Sequence, residues 1–123
     1  MTRISGSVLV VDDEFLIAEL LVTMVEDMGL TVCGSAATAA EAKSLASEHR
    51  PELVLMDVRL RGPEDGIDAA RHIHHTVGSR VIFITGSREP ETVARIERDQ
   101  PAGVLFKPIT FEQLRQAVTR ARQ

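Results

Sequence analysis

The chain has 123 residues, 44% hydrophobic and 26% charged, which fits one folded domain with a real core and excludes a disordered chain. A net charge of -4 gives no electrostatic reason for nucleic-acid binding, and with no Trp or Tyr and four Phe there are few platforms for stacking single-stranded bases. The single cysteine, Cys33, excludes an internal disulfide and a cysteine-cluster metal site, no apolar run reaches transmembrane length, and Asp12 comes too early for a signal peptide, so the expected location is the cytoplasm.

Thr2 to Ser7 reads as a short polar lead-in. Val8, Leu9, Val10 and Val11 then run without alternation and stop at Asp12 and Asp13, the pattern of a parallel strand covered on both faces. Two adjacent like charges repel each other, and a cation between them would explain the pair. The plainer alternative is that Asp13 caps the next helix. In that helix Leu16, Ile17, Leu20, Leu21, Met24, Val25 and Met28 recur at helical spacing, and Gly29 ends it. Leu30 to Gly34 reads as a short strand, where Cys33 would be a buried, unreactive thiol. Thr38 to His49 returns to helical period, with Thr38 and Glu41 in capping-box spacing, and Arg50-Pro51 ends it.

Leu53 to Met56 is a third strand that stops at Asp57, followed by a loop, Val58 to Asp65, centred on Gly62-Pro63. A helix is expected over 66–77 and a strand over Arg80 to Ile84, stopping at Thr85-Gly86-Ser87. A short helix from Pro90 to about Arg98 and a strand from Val104 to Phe106 follow, the strand ending at Lys107-Pro108. Phe111, Leu114, Ala117, Val118 and Ala121 mark the last helix. Strand and helix thus alternate five times, which argues for a three-layer α/β sandwich around a parallel sheet. Right-handed crossovers leave few topologies, and a doubly wound order is the natural one, although periodicity does not fix it.

In a parallel sheet all strand ends share one edge, so Asp12, Asp13, Asp57, Thr85 and Lys107 can converge from distant sequence positions. The alternative is that they are independent caps and surface groups. Three carboxylates with backbone or water oxygen suit a hard cation such as Mg²⁺, and neither Cys nor His stands in the motif to favour zinc. A carboxylate in such a site can attack phosphorus, with Lys107 and the metal neutralising phosphoryl oxygens and the Thr85 hydroxyl donating to another.

The segments VLVVDDE, LVLMDVRL, FITG and LFKP together resemble the receiver domain of two-component response regulators, from about Val8 to Ala121. The resemblance implies a flavodoxin-like fold of five βα units with strand order 2-1-3-4-5, and a single domain over 1–123 with its core at 8–121. It implies that Asp57 is the phosphoacceptor, that Asp13 and Asp57 ligate Mg²⁺ with the Arg59 main-chain carbonyl, and that Asp12 assists through water. Thr85 would be the switch hydroxyl, Lys107 would pair with the phosphoryl group or Asp57, and the Lys107-Pro108 bond would be cis. Arg59 and Ser87, each two residues past a site residue, would flank the attacking water and tune phosphoryl lifetime; otherwise they are loop residues.

Three positions depart from the family pattern. Val104 stands where Tyr, Phe or His is usual, which removes the aromatic switch. The 57–66 loop is one residue longer than common, and FITG is similar to receivers with Phe-x-Thr-Gly at the fourth strand, as in alphaproteobacterial stress and light signalling. Function by resemblance is a phosphoacceptor switch, charged by a histidine kinase or phosphotransfer protein, that catalyses its own phosphorylation and dephosphorylation without being a metabolic enzyme. Output would be a protein contact or self-association on the last two helices and last strand, with no nucleic acid or membrane involved. The chain is expected to stand alone or to be part of a longer protein. A pseudo-receiver that binds partners unphosphorylated and a Mg²⁺-dependent aspartyl-phosphate phosphohydrolase are the alternatives. His49, His72, His74 and His75 read as solvated helix positions, with His74 beside Ile73 a candidate for partial burial.

Overall fold

A computed structural model describes residues 4–123. Ten elements alternate: β1 (Ile4–Val11), α1 (Phe15–Asp27), β2 (Thr31–Ala36), α2 (Ala39–His49), β3 (Pro51–Met56), α3 (Gly66–Thr76), β4 (Arg80–Thr85), α4 (Pro90–Arg98), β5 (Gly103–Phe106) and α5 (Phe111–Ala121). The strands form one parallel sheet in the order β2-β1-β3-β4-β5. The fold is therefore the flavodoxin-like one that the resemblance implies.

The unbroken apolar runs follow from this layering. Successive strand residues point to opposite faces, and both faces are covered. Leu9, Val11, Val54, Met56 and Phe83 pack on one face against Ala42, Ala46, Ile67, Ala70, Ile73 and Ile96 of α2, α3 and α4. Val8, Val10, Leu53, Leu55, Ile82 and Ile84 pack on the other against Ala18, Leu21 and Val25 of α1 and Leu114, Ala117 and Val118 of α5.

Several expected boundaries move. The polar lead-in is largely strand: β1 begins at Ile4, which registers with Pro51, while Thr2 and Arg3 lie outside the described residues. The register with β3 shifts between Ile4 and Val8, where the Gly6 N–H donates to the Glu52 side-chain Oε1 at 3.0 Å. β3 opens on Pro51, tolerated as a first strand residue because it lacks only the N–H. On α1, Leu16 is 79% and Leu20 49% exposed, and neighbouring Phe15 is 73% exposed. The helical repeat there is wider than the stripe the sheet covers. Cys33 is only half-buried, because β2 is an edge strand. Thr38 caps α2 by accepting from the Glu41 N–H, but the Glu41 carboxylate accepts from the Ala37 N–H and the Thr38 hydroxyl rather than from the Thr38 backbone N–H, so the box is not reciprocal. Reciprocal capping boxes that the spacing alone did not reveal stand at Asp65/Asp68 and Thr110/Gln113.

Candidate functional site

The sheet's hydrogen-bond ladder runs one step past the strands and fixes the site residues. The N–H of Asp12 donates to Ala36 O (3.0 Å), that of Asp57 to Val11 O (2.9 Å) and that of Lys107 to Thr85 O (2.9 Å). Three chain segments are thereby held at one edge of the sheet, at the end of β1, β3 and β5. This is the reversal point of the strand order, where doubly wound sheets place their ligands.

Asp12 is buried. Its Oδ1 accepts from the Glu14 N–H at 2.9 Å, and its Oδ2 accepts from Lys107 Nζ at 2.9 Å. Lys107 also donates to Asp57 Oδ2 at 3.3 Å, while Asp57 Oδ1 accepts from the Val58 N–H at 2.8 Å. The Asp13 cap does not form: Glu14 holds the N-cap position of α1 without a side-chain cap bond. Asp12, Asp13 and Asp57 each offer a carboxylate oxygen within 4.8 Å of the others. Three carboxylates against one ammonium leave the site two charges negative, and the donors are all oxygen. That chemistry fits a hard divalent cation, and these residues can coordinate one.

The electrostatics show the same imbalance. Burial pushes the Asp57 carboxyl from 3.8 up to about 6; the charge of Lys107 opposes this and that of Asp12 adds to it. Lys107 is the opposite case, since burial would lower it, yet the hydrogen bond to Asp12 and the charge of Asp57 raise it. Its ammonium is firmly held.

Thr85 is buried at the end of β4, and its Oγ1 accepts from the Ser87 N–H at 3.1 Å. Asp13, Asp57, Arg59, Thr85, Ser87 and Lys107 line one cleft of about 540 Å³. The Arg59 guanidinium pairs with Glu89 at 3.1 Å across its mouth. The Lys107–Pro108 bond is cis, as expected. Val104 does not reach the cleft and packs instead into the core on the α2, α3 and α4 side. The histidines form no ligand cluster among the described residues. His74 is exposed, although its Nδ1 lies 3.1 Å from Ser79 O. His74 and His75 line a separate cleft of about 550 Å³ that shares no residue with the carboxylates.

Two features of the site escaped sequence reasoning. A Cβ at Gly66 would stand 1.8 Å from the Asp57 carbonyl oxygen, so the close approach of α3 to the Asp57 backbone requires glycine. The glycine opening a helix was the signal, but its neighbour was not readable. Arg88 also lines the cleft, with its guanidinium over the Phe106 ring, 4.3 Å from the centroid.

The fold and site together are those of a doubly wound α/β domain with an acidic triad and a lysine at its switch point. The model of the response regulator receiver domain matches residues 8–119, and the chain belongs to that family. It is 41% identical over 102 residues to the phyllosphere-induced regulator PhyR of Methylorubrum extorquens, covering 82% of this chain and 38% of that protein. The solution structure of the PhyR receiver domain of Erythrobacter litoralis is 33% identical with a TM-score of 0.84, covering 94% of this chain and 88% of that one. The receiver domain of a modulated diguanylate cyclase from Desulfovibrio desulfuricans is 34% identical with a TM-score of 0.88, covering 94% and 91%. The chain spans 38% to 55% of the length of the curated relatives PhyR and PdtaR, the latter a transcriptional regulatory protein of Mycobacterium tuberculosis. No helix among the described residues is long and apolar enough to cross a membrane.

Proposed function

We propose that this receiver accepts a phosphoryl group on Asp57 from a histidine kinase or phosphotransfer protein and later hydrolyses it. The observation that carries the reading is the convergence of Asp12, Asp13 and Asp57 with Lys107, whose ammonium lies 3.3 Å from the Asp57 oxygen. An Asp57 oxygen attacks phosphorus as the P–N bond of the donor's phosphohistidine breaks, and the bonding pair returns to an imidazole nitrogen that ends neutral. Lys107 neutralises a phosphoryl oxygen, and the Thr85 hydroxyl, while still accepting from Ser87, donates to another. Water attacking the same phosphorus restores the carboxylate and releases inorganic phosphate. Mg²⁺, held by Asp13, Asp57 and the Arg59 main-chain carbonyl with Asp12 in support, would supply the remaining neutralisation.

Arg59 and Ser87, on the rim of the cleft, tune access of that water. The exposed Phe15, Leu16 and Leu20, which follow Asp12 and Asp13 directly on α1, form the apolar landing for the donor's histidine-bearing domain. Output runs through the face of α4, β5 and α5 to a downstream protein or a second copy. The chain acts as a stand-alone switch or as the receiver of a longer protein of the alphaproteobacterial type, a reading that the FITG segment and the likeness to PhyR support. The test is a titration with beryllofluoride and Mg²⁺ followed by ¹⁹F NMR. The wild type should form a saturable complex and Asp57→Ala none; an equal signal from both proteins would refute the assignment.

A further inference from the structure

Three cations line the Asp57 cleft: Lys107 is held by Asp12 and Asp57, and Arg59 makes an exposed pair with Glu89. Arg88, the third, has no carboxylate partner among the described residues and rests on the Phe106 ring. That ring is closely tied to the site. Phe106 is the register partner of Thr85 on the neighbouring strand and directly precedes Lys107. Arg88 lies three residues beyond Thr85, and the hydrogen bond from Ser87 N–H to Thr85 Oγ1 makes the intervening turn short.

Phosphorylation replaces the single charge of the Asp57 carboxylate with close to two, in a cleft already acidic. A guanidinium fits phosphoryl oxygens with paired hydrogen bonds, whereas a stack on a half-exposed ring is the weaker contact. The Arg59–Glu89 pair does not lock the loop, because both side chains are more than half exposed and screened. We infer that Arg88 is a reserve phosphoryl ligand: it stacks on Phe106 while Asp57 is free and leaves the ring for the phosphoryl oxygens when Asp57 is modified. This rests on the phosphoacceptor reading of Asp57. The exchange uncovers the Phe106 ring at the end of β5 and shifts the loop ahead of α4. A change of charge in the cleft is thereby displayed on the surface, although Val104 supplies no ring to swing.

The test is a double-mutant cycle on beryllofluoride affinity in Mg²⁺, read by ¹⁹F NMR, with amide spectra confirming the fold of each variant. Arg88→Ala should weaken binding about ten-fold, the scale of a lost charge-assisted hydrogen bond. Phe106→Leu should strengthen it about three-fold, because the free state loses its competing stack. In the Arg88→Ala background Phe106→Leu should have no effect. The Phe106 ring resonances should move on beryllofluoride binding in the wild type and stay still in Arg88→Ala; this readout decides alone should Phe106→Leu not fold. Unchanged affinity in Arg88→Ala, or a Phe106→Leu gain that persists without Arg88, overturns the inference while leaving Asp57 as acceptor. A wild type that binds no beryllofluoride overturns both.

Discussion

Asp57 is a buried carboxylate whose nearest cation, Lys107, sits closer to Asp12. Its folded-state pKa of about 6 exceeds the ordinary 3.8, so the folded protein holds that proton more tightly than the unfolded chain. Ionising Asp57 therefore opposes folding: stability falls as pH rises from about 4 to about 6 and stays reduced above that. Asp57→Asn in EDTA should stabilise the protein at pH 7.5 by about 2 kcal/mol, with the gain vanishing near pH 4, as read by urea titration. Mg²⁺ should stabilise the wild type more than the variant. Gly66 makes the complementary case. Gly66→Ala drives a methyl into the Asp57 carbonyl and should destabilise by about 1–3 kcal/mol while slowing phosphorylation, seen together in thermal melts and phosphoryl uptake. Asp12, Asp13, Asp57 and Lys107 were legible in the sequence because each abruptly ends an apolar run. Gly66 was not, because what it must avoid is a backbone atom nine residues away.

At the level of elements, two helices carry predictions of opposite kind. On α3, Asp65 accepts from the Asp68 N–H and from Arg95. Burial would raise its carboxyl, but these bonds outweigh burial and lower it. The cap contributes stability above the ordinary carboxylate pKa and loses it as pH falls through the depressed value. Asp65→Ala should cost about 1 kcal/mol at neutral pH, measured by urea unfolding, with a smaller loss in acid. On α1 the apolar residues contribute little to the fold where they face outward. Phe15→Ser with Leu16→Ser should leave stability within about 0.5 kcal/mol. The pair should slow transfer from a phosphorylated histidine domain while leaving uptake from a small acyl phosphate unchanged; equal slowing of both would remove α1 from donor recognition. Helical period located α1 but could not separate its buried stripe from Leu16 and Leu20, because both are apolar. The same limit placed the start of β1 too late, since backbone pairing at Ile4 leaves no trace in side-chain pattern.

At the scale of the molecule, alternation of five apolar runs with five helical segments was enough to predict the layers, because each strand is covered on both faces. The order β2-β1-β3-β4-β5 is not encoded in periodicity and came from the family resemblance. That order sets β1 beside β3, with only β4 between β3 and β5, and so gathers three separate aspartates and a lysine at one site. The most direct measurement is the intact mass of the folded chain after incubation with a small acyl phosphate, with Mg²⁺ or with EDTA. The phosphoacceptor assignment predicts a gain of one phosphoryl group that requires Mg²⁺, decays with time and is absent from Asp57→Ala. A folded wild type that gains no mass, or an Asp57→Ala variant that gains the same mass, would contradict it.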